Sequence, residues 1–210
     1  MKVLSNKEGI GIVGLGVLGS AIAENFINKN IQISGYDISR KSLEKVAKKK
    51  IVIYETLDSL VIDNRYILLS LPSEKSLIDT ANNLKNNNNQ DLIIIETSTL
   101  PIDCKLNAKE ILLQKNITLF DAPLSGNRLA ALEGKLSAYL SGENNNKDLI
   151  KEILEVFCTK VTDVGEFGNG TKMKLIGNIL NLVHNAVAGE VMALGIKSGL
   201  DPETVSYTHL

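Results

Sequence analysis

A chain of 210 residues with 44% apolar and 22% charged residues has the composition of a soluble globular protein, long enough for one domain and part of another. With a formal net charge of −1, nothing in the charge balance points to nucleic acid or an anionic membrane as partner. Two cysteines (Cys104, Cys158) and two histidines (His184, His209) exclude a disulfide framework and a multi-histidine metal site, and point to a cytoplasmic protein with reduced thiols.

Short β-branched apolar runs alternate with helix-length segments. In chain order, Ile10–Val13, Ile31–Tyr36, Ile51–Ile53, Tyr66–Ser70, Leu92–Glu96 and Ile117–Asp121 read as strands. Leu18–Lys29, Ser39–Lys49, Ser73–Lys85, Pro101–Lys115 and Lys147–Phe157 read as helices. Strands this apolar, alternating with helices, predict a doubly wound, mostly parallel sheet covered on both faces. Leu136–Ser141 and Lys160–Val164 are expected to extend the same sheet. The asparagine tracts Asn86–Asn89 and Asn144–Asn146 fall between elements, where asparagine suits turns. The first apolar segment, Ile10–Leu18, is broken by glycines and so reads as neither signal peptide nor membrane span.

After Gly170 the pattern changes. Met173, Ile176, Leu180, Val183, Val187, Val191 and Leu194 recur at helical spacing, which predicts one long helix from Thr171 to Ser198 stopped by Gly199. Asp201-Pro202-Glu203 opens another helix only eight residues before the end. The expected division is a Rossmann-type nucleotide-binding domain over 1–168, followed by an incomplete helical domain over 169–210.

Gly14-Leu15-Gly16-Val17-Leu18-Gly19 follows the first strand and opens the first helix. In that βαβ context GxGxxG is a dinucleotide fingerprint. Gly14 permits the tight turn, Gly16 lets the backbone approach the pyrophosphate, and Gly19 lets helix and strand pack closely. The phosphates would lie at the helix N-terminus, where unpaired N–H groups favour anions. Asp37 follows Gly19 by eighteen residues, at the end of the second strand, and would accept hydrogen bonds from the adenosine ribose. A carboxylate there repels a 2′-phosphate, which favours NAD over NADP, although an arginine three residues on, Arg40, is of a type that can rescue phosphate binding. Farther along, Lys174, Asn178, Asn181 and Asn185 form a polar stripe on an otherwise apolar helix, while Lys172 points elsewhere.

The glycine loop, Asp121-Ala122-Pro123-Leu124-Ser125-Gly126, and the GxGxxxKxxxN run from Gly168 to Asn178 occur in that order. Together they resemble the β-hydroxyacid dehydrogenase family, over Ile10 to Asp201. Thr97-Ser98-Thr99 is similar to the Ser-Thr motif that the family places near the nicotinamide. The resemblance implies an oxidoreductase that moves a hydride between NAD(H) and a small 2- or 3-hydroxy acid or the matching semialdehyde. It implies Lys174 as catalytic acid/base, and Ser125, Gly126, Asn127 and Asn178 as contacts of a carboxylate substrate. It further implies Leu71, Pro72, Ser98 and Thr99 as cofactor contacts beside the glycine loop and Asp37. A partly desolvated lysine suits the acid/base role, because burial lowers its pKa.

The sequence also departs from the family. Where the family continues Ser-Gly-Gly, this chain has Ser125-Gly126-Asn127-Arg128. Asparagine tolerates positive φ, so the loop shape is expected to survive with the Asn127 side chain in the substrate pocket; Arg128 reads as a solvated helix residue. The 6-phosphogluconate enzyme's His-Asn-Gly run is missing after Lys174. Family members continue into an all-helical domain used in dimer formation, so the full-length form is expected to be a homo-oligomer. Val205–Leu210 do not resemble the family's next helix and read as translated adaptor sequence, hence an expected truncation. Two alternatives stand beside the dehydrogenase: a non-catalytic NAD-binding fragment or regulator, and a relative of the imine reductases, which generally replace the lysine.

Overall fold

The computed structural model describes residues 9–47, 49–85, 91–142 and 145–209. The tract Asn86–Asn89 and Asn144 lie outside the described residues. The chain divides into two compact units, Met1–Lys172 and Met173–Leu210.

The first unit is an α/β Rossmann-like fold. Its main sheet contains β1 (Ile10–Val13), β2 (Ser34–Tyr36), β3 (Val52–Ile53), β4 (Tyr66–Leu69), β5 (Ile93–Glu96) and β6 (Thr118–Asp121). Every pairing is parallel, in the order β3-β2-β1-β4-β5-β6. Parallel strands need crossovers, and the helices α1 (Val17–Asn28), α2 (Arg40–Val46), α3 (Leu57–Asp63), α4 (Glu74–Leu84) and α5 (Ile102–Leu113) supply them.

Two apolar cores explain why these strands carry almost no polar residues. Successive side chains point to opposite faces, and both faces are covered. Ile10, Ile12, Leu68, Ile93 and Ile95 enter one core with Ala21, Ile22 and Phe26 of α1. Val13, Ile67, Leu69 and Ile94 enter the other with Leu60 of α3, Leu77 of α4, and Ala108 and Leu112 of α5. Helix α3 was not legible in advance: seven residues are short for periodicity, and its signal is the Thr56 cap, whose hydroxyl accepts from the Ser59 N–H.

The runs after β6 do not extend the main sheet. With β7 (Leu124–Ser125), β8 (Leu136–Leu140) and β9 (Cys158–Asp163) they form a separate three-stranded sheet. The cause lies at Asp121. This last residue of β6 meets Ser141 in an antiparallel bridge, with N–H···O bonds of 3.0 and 2.7 Å, so the chain reverses direction there. β8 alternates inward Leu136, Ala138 and Leu140 with half-exposed Ser137 and Tyr139, and its inward face joins the α1 side of the core. The short helix α6 (Arg128–Leu132) and α7 (Lys147–Leu154) complete this side.

Helix α8 (Asn169–Lys197) begins in the first unit and makes up most of the second, followed by α9 (Pro202–His209). Gly199 ends α8 at φ +78°, and Asp201 caps α9 by accepting from the Thr204 N–H and hydroxyl. By length and composition alone, α8 is apolar enough to cross a membrane.

Candidate functional site

In the main sheet the chain starts at β1 and builds outward in one direction through β2 and β3, then returns to build the other way from β4. The carboxyl ends of β1 and β4 therefore flank a topological switch point, the usual ligand crevice of such sheets. The glycine loop sits there. Gly14 has φ +93°, and a Cβ on it would lie 2.2 Å from the Ser70 carbonyl oxygen. A Cβ on Gly19 would lie 1.9 Å from the Gly14 carbonyl oxygen. Gly16 differs from both: its φ is −66°, and no heavy atom lies within 4 Å of where a Cβ would stand. Two of the glycines thus serve backbone packing. The third opens on free space at the N-terminus of α1, where the first N–H groups of a twelve-residue helix lack intrahelical partners. Within the loop Leu15 is buried, Leu18 is half-buried and Val17 is exposed.

Asp37 is held at the end of β2 by two backbone donors. Its Oδ2 accepts from the Leu15 N–H at 2.7 Å and its Oδ1 from the Ser39 N–H at 2.7 Å. Asp37 thus ties the glycine loop to the β2–α2 turn while each oxygen keeps further lone-pair capacity. The N-cap of α2 is Ser39, not Asp37. Ile38 beside it is 88% exposed, and Arg40 is exposed at the first turn of α2.

The ends of β4 and β5 are fastened side by side. The Thr97 hydroxyl donates to the Leu69 carbonyl at 2.7 Å, and the Leu71 N–H donates to Ser98 Oγ at 2.8 Å. Ser98 is buried, Leu71 half-buried, and Pro72 and Thr99 exposed. The structure therefore gathers the glycine loop, Asp37, Leu71, Pro72, Ser98 and Thr99 on the carboxyl ends of adjacent strands.

Ser125 is half-buried in β7, and Gly126 follows with φ +139°, where a Cβ would press on the Leu136 side chain at 2.6 Å. Asn127 departs from expectation. Its φ is −97°, in ordinary extended backbone, and its Oδ1 accepts from the Ala130 N–H at 2.9 Å as the N-cap of α6. The positive φ falls on Gly126, so Asn127 needs no special conformation, and its carbonyl oxygen is taken up by the helix terminus. Arg128 is exposed in the first turn of α6.

The GxGxxxKxxxN run has an anchoring half. Gly168 has φ +92°. A Cβ on Gly170 would lie 2.3 Å from the Tyr139 carbonyl oxygen and 3.0 Å from Asp121 Oδ2. The Gly170 N–H donates to Ser141 Oγ, the Thr171 N–H to Asp121 Oδ2 and the Thr171 hydroxyl to Asp121 Oδ1, at 2.8–3.0 Å. In the second unit, Lys174 and Asn178 are half-buried, while Asn181 and Asn185 are exposed. Desolvation holds the Lys174 ammonium below the usual lysine pKa. Lys172 is exposed and donates to Asn169 Oδ1 at 3.1 Å.

Sequence reasoning missed a buried charge cluster. Lys105 and Glu96 are fully buried, with Nζ 2.5 Å from Glu96 Oε2, and Asp121 lies 2.8 Å from the same Nζ. Burial raises the Glu96 pKa, and Lys105 opposes that shift. The readable signal was a carboxylate closing each of two apolar strands, Glu96 after Ile95 and Asp121 after Phe120.

Residues 9–165 match the family model of the NAD binding domain of 6-phosphogluconate dehydrogenase. The mitochondrial 3-hydroxyisobutyrate dehydrogenase of Drosophila melanogaster is 27% identical over 203 residues, which cover 96% of this chain and 62% of the relative. A 3-hydroxyisobutyrate dehydrogenase of Mycobacterium tuberculosis, solved with L-serine, superposes with a TM-score of 0.88 at 19% identity, over 92% of this chain and 67% of that one. A protein solved in complex with NADP+ and 2-OPP gives a TM-score of 0.80 at 25% identity, over 95% of this chain and 72% of that one. The chain thus spans about 62% of the length of the curated fly relative. It belongs to the β-hydroxyacid dehydrogenase family, the 3-hydroxyisobutyrate dehydrogenase-like oxidoreductases, and carries their NAD(P)-binding domain.

Proposed function

We propose that this chain is the cofactor-binding part of an NAD-dependent dehydrogenase or reductase acting on a small 2- or 3-hydroxy acid or the matching semialdehyde. The observation that carries the reading is the open space at Gly16, on a helix N-terminus at the switch point, beside a carboxylate held at the end of β2. A dinucleotide fits that donor set: unpaired N–H groups for the pyrophosphate and Asp37 for the ribose hydroxyls. Leu15, Val17, Leu18, Leu71, Pro72, Ser98 and Thr99 complete the cofactor contacts in this reading.

When bound, NAD+ supplies the acceptor for the hydride that leaves the alcohol carbon. Lys174 has the proton to manage. In its neutral form Nζ takes the hydroxyl proton as the C=O bond forms; in reverse, the ammonium returns a proton to the carbonyl oxygen. Desolvation makes the neutral amine accessible at lower pH than for a solvated lysine. Ser125 and Gly126 hold the substrate carboxylate through hydroxyl and backbone N–H, Asn127 offers its remaining NH2, and Asn178 bonds the substrate from the helix. NAD is preferred to NADP because the Asp37 carboxylate repels a 2′-phosphate and the exposed Ile38 offers it no donor. In the full-length protein the exposed apolar residues of α8, among them Ile179, Leu182 and Leu194, are covered by further helical chain in a homo-oligomer, so α8 is not a membrane span. We place the protein in the cytoplasm, in keeping with two free, buried thiols. Titration of this chain with NADH and NADPH tests the cofactor reading. A panel of hydroxy acids and semialdehydes offered to the full-length protein tests the substrate class: turnover only of imines, or of nothing while NADH binds, would overturn the dehydrogenase reading.

A further inference from the structure

A lysine is almost never fully buried unless it is paired, and here one ammonium stands between two buried carboxylates. Stability is a poor explanation for such a cluster, because apolar side chains of similar volume often serve as well or better. Its location is more informative. Lys105 reaches from α5 to the carboxyl ends of β5 and β6, and its Nζ also donates to the Ser98 carbonyl at 2.7 Å. Ser98 is thereby held at three points. Its N–H donates to Glu96 Oε1 at 2.8 Å, its carbonyl accepts from Lys105, and its Oγ accepts from the Leu71 N–H. The hydroxyl itself is hydrogen-bonded to the Glu96 carboxylate, so Oγ, which accepts from Leu71, keeps one further lone pair to accept from a ligand at the strand ends. The other arm of the cluster, Asp121, accepts from Thr171 at the start of α8 and from Ser141 just after β8.

We propose that Lys105 is a positioning residue of the cofactor site: it fixes the backbone of Ser98, and so sets the Ser98 hydroxyl for the nicotinamide half of the dinucleotide. This rests on the cofactor reading above. Lys105 touches no ligand itself; it acts through Ser98, with Glu96 as its counter-charge.

The test uses this chain and two ligands. ADP-ribose has the adenosine and pyrophosphate of NADH but no nicotinamide, so the ratio of the two affinities isolates the nicotinamide end. Calorimetric titrations compare the wild type, Lys105→Met, and the double variant Glu96→Gln with Lys105→Met. The double variant removes one charge of each sign while Gln still accepts from the Ser98 N–H. The expected result is an NADH-to-ADP-ribose affinity ratio about tenfold lower in both variants, the scale of one well-placed hydrogen bond, with ADP-ribose affinity unchanged. If Lys105→Met fails to fold, the double variant carries the test. A folded double variant with the wild-type ratio overturns the proposal, as does a double variant that cannot fold, since the cluster would then be structural. If the wild type binds neither ligand, the cofactor reading itself fails and the proposal falls with it. If the wild type binds both equally, only the proposal falls.

Discussion

Replacing each glycine of the nucleotide loop by alanine separates packing from ligand binding, because the three positions meet such different surroundings. At Gly16 a methyl group enters open space at φ −66°, so nothing in the fold resists it. Removing glycine lowers the entropy of the unfolded chain, worth about 0.4–1 kcal/mol of stabilisation. Alanine is also a poorer N-cap than glycine, by roughly 0.5 kcal/mol. The two nearly cancel, and a net change under about 1 kcal/mol moves the melting temperature of a domain this size by less than about 4 °C. At Gly19 the added carbon would stand 1.9 Å from a backbone oxygen, so strand and helix must separate. Overpacking of that kind costs about 1–3 kcal/mol. Gly14→Ala combines a backbone clash at 2.2 Å with φ +93°, which adds strain of about 1–3 kcal/mol. Thermal melts should therefore show Gly16→Ala near the wild type and the other two well below it. Calorimetric titration with NADH should reverse the picture for Gly16→Ala: a methyl where the pyrophosphate must approach should weaken binding at least about tenfold, or 1.4 kcal/mol. Unchanged NADH affinity in a folded Gly16→Ala protein would refute the placement of the pyrophosphate, and loss of fold would refute the geometric argument.

Asp37→Ser, which removes the negative charge and keeps a hydroxyl acceptor for a backbone N–H, should weaken NADH and strengthen NADPH; parallel titrations in which NADPH gains nothing would show that Asp37 does not set the preference. Burial pushes the Cys158 thiol up to about 12 from 9.0. The folded chain then keeps a proton that the unfolded chain releases, so this group's contribution to stability is lost as pH rises above 9. At pH 10.5 the loss is about 2 kcal/mol, at 1.36 kcal/mol per unit over about 1.5 units. Denaturant titrations at pH 8 and pH 10.5 should show a smaller alkaline loss in Cys158→Ala than in the wild type, and equal losses would contradict the burial. In the full-length protein, on the proposed function, Lys174→Met should lower kcat by about 10²–10⁴ with NAD affinity little changed. The alcohol-oxidation limb that rises with pH as the depressed lysine loses its proton should vanish with it, whereas Lys172→Met, turned about 160° around the helix, should cost little; equal effects of the two substitutions would show the motif to be misaligned.

Much of this was legible in the sequence, for identifiable reasons. The central strands β1, β4 and β5 are buried on both faces, so each appears as a nearly unbroken apolar run, and the glycine loop is confined by its own backbone contacts to one spacing. What escaped was set by contacts distant in sequence. The runs 136–141 and 160–164 look like further strands of the same sheet, and only the antiparallel bridge between Asp121 and Ser141 shows that the chain turns into a second one. Asn127 was read through the φ that asparagine tolerates. Its actual role, the cap on a five-residue helix, depends on the Ala130 N–H, and that helix is too short to announce itself by periodicity. Nothing in the sequence singles out Lys105 within the helix Pro101–Lys115, because its two carboxylate partners arrive from strands nine and sixteen residues away.

The GxGxxxKxxxN run shows how a spacing in sequence can join anchoring to chemistry. Gly170 has no room for a side chain beside Tyr139 and Asp121, and Thr171 is locked by two bonds to the buried Asp121 carboxylate. A carboxylate at a helix N-terminus also meets the positive end of the backbone dipoles, which strengthens that lock. Lys174 and Asn178 follow Thr171 by three and seven residues, so at 3.6 residues per turn all three fall on one side of α8. Lys174 thus follows the anchored threonine by about one turn of the same helix. A single charge network, from Glu96 and Lys105 through Asp121 to Thr171, then connects the backbone of Ser98 at the strand ends with the first turn of the helix that bears Lys174. The Lys105 ammonium thus bridges carboxylates at the ends of two neighbouring strands, where a leucine would have been the simpler core residue.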